Sequence, residues 1–178
     1  MLNALRMAVV AAALLSLTGP CAAFDAASVP DGKQTKLGLY LTAEEVPPFL
    51  AARSGHALFV DVRAPEELAA TGVAASVDAN APLFLLSGGK MQPNPDFVAT
   101  VIAKLTAKRL TKDDAVVVMC RTGRRSALAA SLLAEFGFSH VYSVVDGFEG
   151  DGGGAPGLKG WKGAGLPLRQ AGAAPPPD

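Results

Sequence analysis

The sequence predicts an α/β domain, a small and mostly parallel sheet with helices on both faces. Three observations predict it. The runs Ala57-Leu58-Phe59-Val60-Asp61-Val62, Ala115-Val116-Val117-Val118-Met119 and Val141-Tyr142-Ser143-Val144-Val145 are short, largely apolar and rich in β-branched residues, as strands buried on both faces are. Between them lie segments whose apolar residues recur at helical spacing. Strands that alternate with helices imply parallel pairing through crossovers.

Taken in order, Arg6 precedes the apolar run Met7 to Leu15, and Gly19-Pro20 and the small residues Cys21-Ala22-Ala23 follow it. A positive start, a short apolar core and a small-residue cleavage site make residues 1–23 a secretory signal peptide, whose apolar run is too short to span a bilayer. Residues 24–36 read as a linker, and 37–170 as one domain. Leu37, Leu39 and Leu41 alternate as in a short strand. Thr42, with Glu45 three residues on, then caps a helix that runs to about Ser54-Gly55, with Pro47 and Pro48 near its first turn.

After the strand at 57–62, Ala64-Pro65-Glu66-Glu67-Leu68 starts a second helix, with its carboxylates on the favourable end of the dipole. Residues 71–95 read as loop-rich, with Gly88-Gly89 and Pro93-Asn94-Pro95 as breakers and one short strand near Ser76-Val77. Phe97, Val98, Val101, Ile102 and Leu105 give a helix over about 96–108. The strand Ala115–Met119 leads to Cys120, a polar segment Arg121 to Arg125, and a helix Ser126 to Phe136 with Gly137 as C-cap. The strand at 141–145 ends at Asp146-Gly147. Beyond Gly150 the chain is Gly-rich, with Trp161 anchoring one short helix, and 171–178 reads as a flexible tail.

Composition limits the function. The 178 residues carry 16 basic and 16 acidic side chains. Near neutrality gives no electrostatic footprint for nucleic acid or, after signal cleavage, for a membrane surface. Cleavage after Ala23 removes Cys21 and leaves Cys120 as the last of the two cysteines, so no internal disulfide closes in the mature chain. An unpaired thiol is a liability in an oxidising compartment and calls for a functional reason. The export signal places the protein in a periplasm, with secretion as the other destination.

The chemistry gathers at Cys120-Arg121-Thr122-Gly123-Arg124-Arg125-Ser126, where a strand end, a short loop and a helix start meet. Ligand sites in open α/β sheets lie beyond the carboxyl ends of the strands. Backbone N–H groups at a helix N-terminus form an anion cradle there. Helix dipole, the nearby guanidinium groups and solvent access all favour an ionised, nucleophilic thiol. An isolated Cys ending a buried strand is ordinarily an inert small hydrophobe; the three arginines after it reverse that reading. No metal site and no cofactor is expected. Asp61 and Arg63 read as a charge pair that supports the active loop, since charges at a buried strand end are rarely left unpaired. Glu67 reads as a plain helix carboxylate, and His56 and His140 as ordinary surface or core histidines.

The segment Cys120 to Ser126 resembles the active-site loop of the rhodanese-like sulfurtransferases, Cys-Arg-Ser-Gly-x-Arg-Ser, with Thr122 in place of Ser. Asp61-Val62-Arg63 with Glu67 resembles the family's Asp-Val-Arg and following acidic residue. Gly147-Phe148 with Trp161 and Ala164-Gly165-Leu166-Pro167 resembles its Gly-Gly-x-x-x-Trp and Gly-x-Pro ending. The chain departs from the family at Gly72-Val73-Ala74-Ala75-Ser76-Val77, where a Gly-His-Ile-Pro-Gly-Ala segment is usual.

The resemblance implies transfer in two steps. Cys120 takes the outer sulfur of a small anionic donor such as thiosulfate, holds it as a persulfide, and hands it to cyanide or a thiol. Amides from Arg121 to Arg125 stabilise the charged sulfur. The resemblance implies that Arg125 binds the donor or fixes the loop, and that Arg124 stands at a position variable in the family.

Three rivals remain. A Cys-dependent phosphatase places five residues between Cys and Arg, whereas Cys120 and Arg125 are separated by four and Ser126 stands where that Arg would be. A sulfur-carrier or partner-binding module would serve one exported protein, with little turnover on free thiosulfate. A redox thiol would need a resolving Cys from a partner.

Overall fold

The structure, a computed structural model, describes residues 26–151 and 158–172. The expected signal peptide and most of the tail lie outside the described residues, as does much of the Gly-rich stretch. In chain order the strands are β1 (Tyr40–Leu41), β2 (Ala57–Asp61), β3 (Val73–Ala74), β4 (Ala79–Asn80), β5 (Phe84–Ser87), β6 (Lys90–Pro93), β7 (Ala115–Met119), β8 (Val141–Val144) and β9 (Leu168–Arg169). The helices are α1 (Val46–Ala51), α2 (Pro65–Thr71), α3 (Phe97–Ala107), α4 (Arg124–Glu135) and α5 (Gly160–Gly163). A 3₁₀ turn, Ala43–Glu45, precedes α1.

Five strands form one parallel sheet in the order β1-β8-β7-β2-β4. The two most apolar runs became its centre: β2 and β7 pair from Ala57 opposite Ala115 to Asp61 opposite Met119, and every residue of both is buried. Side chains alternate across the sheet and make two cores. Leu58, Val60, Val116, Val118 and Cys120 face Phe97, Val101 and Leu105 of α3 and Ala129, Ala130 and Leu133 of α4. Phe59, Val117 and Met119 face Val46 and Phe49 of α1, Leu68 of α2, and Trp161. Helices on both faces are what the unbroken apolar strands required.

The structure corrects several expectations. The helix expected from Thr42 to Ser54 is split: the Thr42 amide donates to Glu45 Oε2 at 2.7 Å, closing the 3₁₀ turn, and α1 begins afresh at Val46 with the prolines in its first positions, where their missing N–H groups cost nothing. The expected strand at Leu37–Leu41 shrinks to Tyr40–Leu41.

Residues 71–95 hold four short strands where one was expected. The short strands β3 and β4 flank Ser76-Val77, which is itself no strand, and Gly88-Gly89 is the two-residue turn of a β5–β6 hairpin. A Gly-Gly pair supplies the positive φ values that such a turn demands, +56° and +75° here. Finally, α4 begins at Arg124, so the loop is only Arg121 to Gly123, and Arg124 and Arg125 belong to the helix.

Candidate active site

Cys120 follows β7 at the carboxyl end of the sheet, between the ends of β2 and β8. It is 1 % exposed. The Gly123 amide donates to Cys120 Sγ at 3.2 Å, so the chain folds back over the sulfur within three residues. Only glycine permits that turn: Gly123 has φ +98°, and a Cβ there would stand 2.0 Å from the Val145 carbonyl oxygen. The amides of Arg124, Arg125 and Ser126 open α4 and have no acceptor within the helix, which puts the positive end of its dipole next to the thiol.

The loop's far side is held by backbone. Phe148 N–H donates to the Cys120 carbonyl and Glu149 N–H to the Arg121 carbonyl, both at 2.8 Å. Gly147 makes this approach possible, since a Cβ on it would come within 2.7 Å of the Cys120 carbonyl oxygen. Below the sulfur, two buried hydroxyls form a chain: Ser143 Oγ donates to Ser126 Oγ at 3.0 Å, and Ser126 Oγ lies 3.7 Å from Cys120 Sγ and 2.8 Å from the Gly123 carbonyl oxygen.

The three arginines take different positions. Arg125 donates through Nη1 and Nη2 to the two oxygens of Glu67, each at 2.6 Å. Arg121 pairs with Glu149, and Arg124 is exposed and makes no ion pair among the described residues. The reading of Glu67 as a plain helix carboxylate is therefore corrected. It caps α2 through the Ala64 amide at 3.0 Å and clamps α2 to the first turn of α4. Burial pushes the Glu67 carboxyl up, but the hydrogen bonds from Arg125 and Ala64, with the charges of Arg125 and Arg63, outweigh it and hold the group below its ordinary value. The hydrogen bond to Glu67 in turn raises Arg125, against the effect of burial.

Asp61 and Arg63 are paired as expected of a supporting couple. Arg63 Nε reaches both Asp61 oxygens at 3.0 Å, and its Nη2 donates to Oδ2 at 2.6 Å. Both residues are buried, and Arg63 also donates through Nη1 to Thr71 Oγ1 and through Nη2 to the Gly72 carbonyl. The guanidinium also lies 3.9 Å from the centre of the Phe148 ring, next to the amide that holds the Cys120 carbonyl.

Of the residues singled out in the sequence, Cys120, Gly123, Arg125 and Ser126 come together with Asp61 and Arg63 behind them. Arg121 and Arg124 stand at the surface, and Thr122 is half-buried in the loop. His56 is exposed, and His140 Nδ1 bonds Ser139 and the Asp113 carbonyl away from the sulfur.

The sequence reading missed Ser143, Lys33 and Asp146. Asp146 Oδ1 accepts from Ala43 N–H and Oδ2 from Gly160 N–H, both at 2.8 Å, and burial raises its carboxyl above the ordinary value despite those bonds. A polar residue inside or just after a buried strand run was the signal for Ser143 and Asp146. For Lys33 there was none. Among the described residues no three His, Cys, Asp or Glu side chains gather as a metal site would need.

Comparison with known proteins gives this geometry relatives. Residues 47–151 match the rhodanese-like domain family. An uncharacterized protein of Rickettsia prowazekii is 33% identical over 114 residues, covering 64% of this chain and 84% of that one. Thiosulfate sulfurtransferase 16, chloroplastic, of Arabidopsis thaliana is 30% identical over 95 residues, covering 53% of this chain and 72% of its own. Among solved structures, Rv0390 from M. tuberculosis superposes with a TM-score of 0.55 at 32% identity, covering 72% of this chain and 95% of its own.

Proposed function

Because this chain belongs to the rhodanese-like domain family, we propose that it is an exported sulfurtransferase that carries sulfane sulfur as a persulfide on Cys120. The observation that carries the reading is the Gly123 N–H aimed at Cys120 Sγ from 3.2 Å, at the head of α4. A donor aimed at the sulfur from the positive end of a helix is placed to hold the negative charge that a persulfide sulfur carries during transfer.

The cysteine thiolate attacks the outer sulfur of thiosulfate. A Cys120 S–S bond forms as the S–S bond of the donor breaks, and sulfite leaves with the bonding pair. Cyanide or a thiolate then attacks the outer sulfur of the persulfide, and Cys120 leaves as thiolate. Charge balances at each step with no outside oxidant. With Cys120 1 % exposed, the end of a small anion reaches the sulfur more readily than a bulky electrophile does. Arg125 is occupied by Glu67, which supports the loop-fixing role for it; Arg124, exposed at the head of α4, is the guanidinium available to meet the donor.

Export rests on the apolar run Met7 to Leu15 and the small residues before Phe24. Among the described residues no helix is long and apolar enough to cross a membrane. The periplasm is the compartment proposed.

Intact-mass analysis of the mature protein and of Cys120→Ser, each incubated with thiosulfate and then cyanide, tests the reading. The wild type gains one sulfur mass and releases thiocyanate, and the variant does neither. Absence of both adduct and thiocyanate in the wild type would sink the sulfurtransferase assignment for this donor.

A further inference from the structure

Lys33 stands upstream of the region that matches the family, which begins at residue 47, yet it is buried against the Cys120 loop. Its ammonium donates to the Val145 carbonyl oxygen at 2.8 Å and pairs with Asp151, and its side chain is 3 % exposed. The Val145 carbonyl is the wall that Gly123 is pressed against: a Cβ on Gly123 would lie 2.0 Å from that oxygen and 3.1 Å from Lys33 Cδ. So the lysine stem fills the space that a side chain at position 123 would need, and the lysine head fixes the carbonyl that Gly123 is pressed against.

The segment that delivers Lys33 is itself fastened. A turn from Pro30 to Lys33 closes through a 3.1 Å backbone bond, Val29 is buried in a small core with Tyr40, Val145 and Leu158, and Lys36 N–H donates to Ser131 Oγ on α4 at 3.2 Å. Residues 24–36, expected to be a linker, are thus packed on the domain from Val29 onward. At the other end Asp151 opens the Gly-rich stretch.

We propose that Lys33 is a positioning residue of the sulfur cradle. Clasped by Asp151, it holds the Gly123 amide on Cys120 Sγ, and it makes the N-terminal segment and the start of the Gly-rich stretch part of the active site. It acts through Gly123 and Val145 and touches no substrate. The proposal rests on Cys120 being the reacting thiol, not on the identity of the donor. The burial of a lysine is the reason to look for such a role: an ammonium is almost never enclosed unless it is paired, and here both of its acceptors belong to the frame of the loop.

The test separates positioning from plain charge. Charged groups around the cradle are Arg121 with Glu149, Arg124, Arg125 with Glu67, Asp61 with Arg63, Asp146, and Lys33 with Asp151. In Asp151→Asn a negative charge is lost, which by Coulomb's law alone would ease ionisation of Cys120 and lower the pH midpoint of its alkylation. Without its carboxylate the lysine head turns to water and releases the Val145 carbonyl, so positioning predicts the opposite sign.

We expect iodoacetamide alkylation of Cys120 in the mature chain to move its midpoint up by about half a pH unit in Asp151→Asn, roughly threefold less thiolate at a fixed pH below the midpoint. Lys33→Met, which keeps the stem, moves it the same way, and Asp151→Asn/Lys33→Met moves it no further than Lys33→Met. An unchanged or lowered midpoint in folded Asp151→Asn overturns the proposal, and so does a folded Lys33→Met with the wild-type profile. Alkylation needs no sulfur donor. A wild type that never loads sulfur while these midpoints shift would therefore refute the transferase reading and leave the positioning role standing.

Discussion

At the scale of single residues, the site depends on contacts that leave no room for substitution. Gly123 combines a left-handed backbone with a 2.0 Å approach that any Cβ would make to the Val145 oxygen. Gly123→Ala should cost about 3 kcal/mol or more, strain and clash together, and should abolish sulfur loading. A chemical melt beside the mass assay checks both, and near-wild-type loading would show that the close approach of residue 123 to the Val145 carbonyl is not needed for the cradle.

Glu67 tests the same framework by pH. Its folded-state pKa lies below the ordinary 4.5, so the ionised carboxylate stabilises the fold at neutral pH, and that contribution is lost as pH falls through the depressed value. Glu67→Gln should lower stability by about 1–2 kcal/mol at pH 7, since it leaves the partly buried Arg125 with a neutral partner. The gap between wild type and variant in urea melts should close as pH falls from the ordinary 4.5 through the depressed value. A gap that persists in acid would mean that the pair acts through packing alone.

At the scale of elements, β2 and β7 behave as their composition demands, whereas the β5–β6 hairpin does not. Its register puts Leu86 opposite Met91 and Phe84 opposite Pro93, an apolar face, and yet Leu86 and Met91 are 47% and 43% exposed. A two-stranded ribbon outside the main sheet buries too little to be stable alone, so Phe84 packing on the core and the Asn94 bond to the Pro82 carbonyl anchor its base. Leu86→Lys with Met91→Glu should change stability by no more than about 0.5 kcal/mol and leave sulfur loading as it was. A loss above 2 kcal/mol in thermal melts would show that the hairpin face is covered in solution.

At the scale of the whole molecule, the carboxyl ends of β2, β7 and β8 deliver Asp61, Cys120 and Asp146 to one rim, and segments distant in sequence close around them. The C-terminal part closes from below: Trp161, 1 % exposed, lies 5.7 Å from Phe59 ring to ring and donates its Nε1–H to the Pro167 carbonyl at 2.9 Å. β9 then pairs with β3. Trp161→Ala should cost about 3–5 kcal/mol, read as a lowered urea midpoint. A loss under 1 kcal/mol would mean that the C-terminal part contributes nothing to the fold.

What the sequence by itself determined is what local pattern encodes. The unbroken apolar runs required a parallel sheet covered on both faces, helical spacing placed α3, helix propensity and the Gly137 cap placed the body of α4, and the succession of Cys120, Gly123 and Arg125 placed a thiol under a helix start. The pairing of Asp61 with Arg63 followed from charge at a buried strand end.

Tertiary structure alone decided the rest, because those contacts join residues whose own neighbourhoods say nothing of each other. Glu67 looks like any first-turn carboxylate until α2 and α4 are set side by side by the sheet order. Ser143 looks like one polar residue in a strand until β8 pairs with β7 beneath Cys120. Lys33 carries no local pattern, and only the fold of a segment far upstream brings it behind Gly123. Propensity and periodicity are sums over neighbours in sequence, whereas a site is made by burial, which excludes water and forces each charge or hydroxyl to find whichever partner the fold has brought within reach.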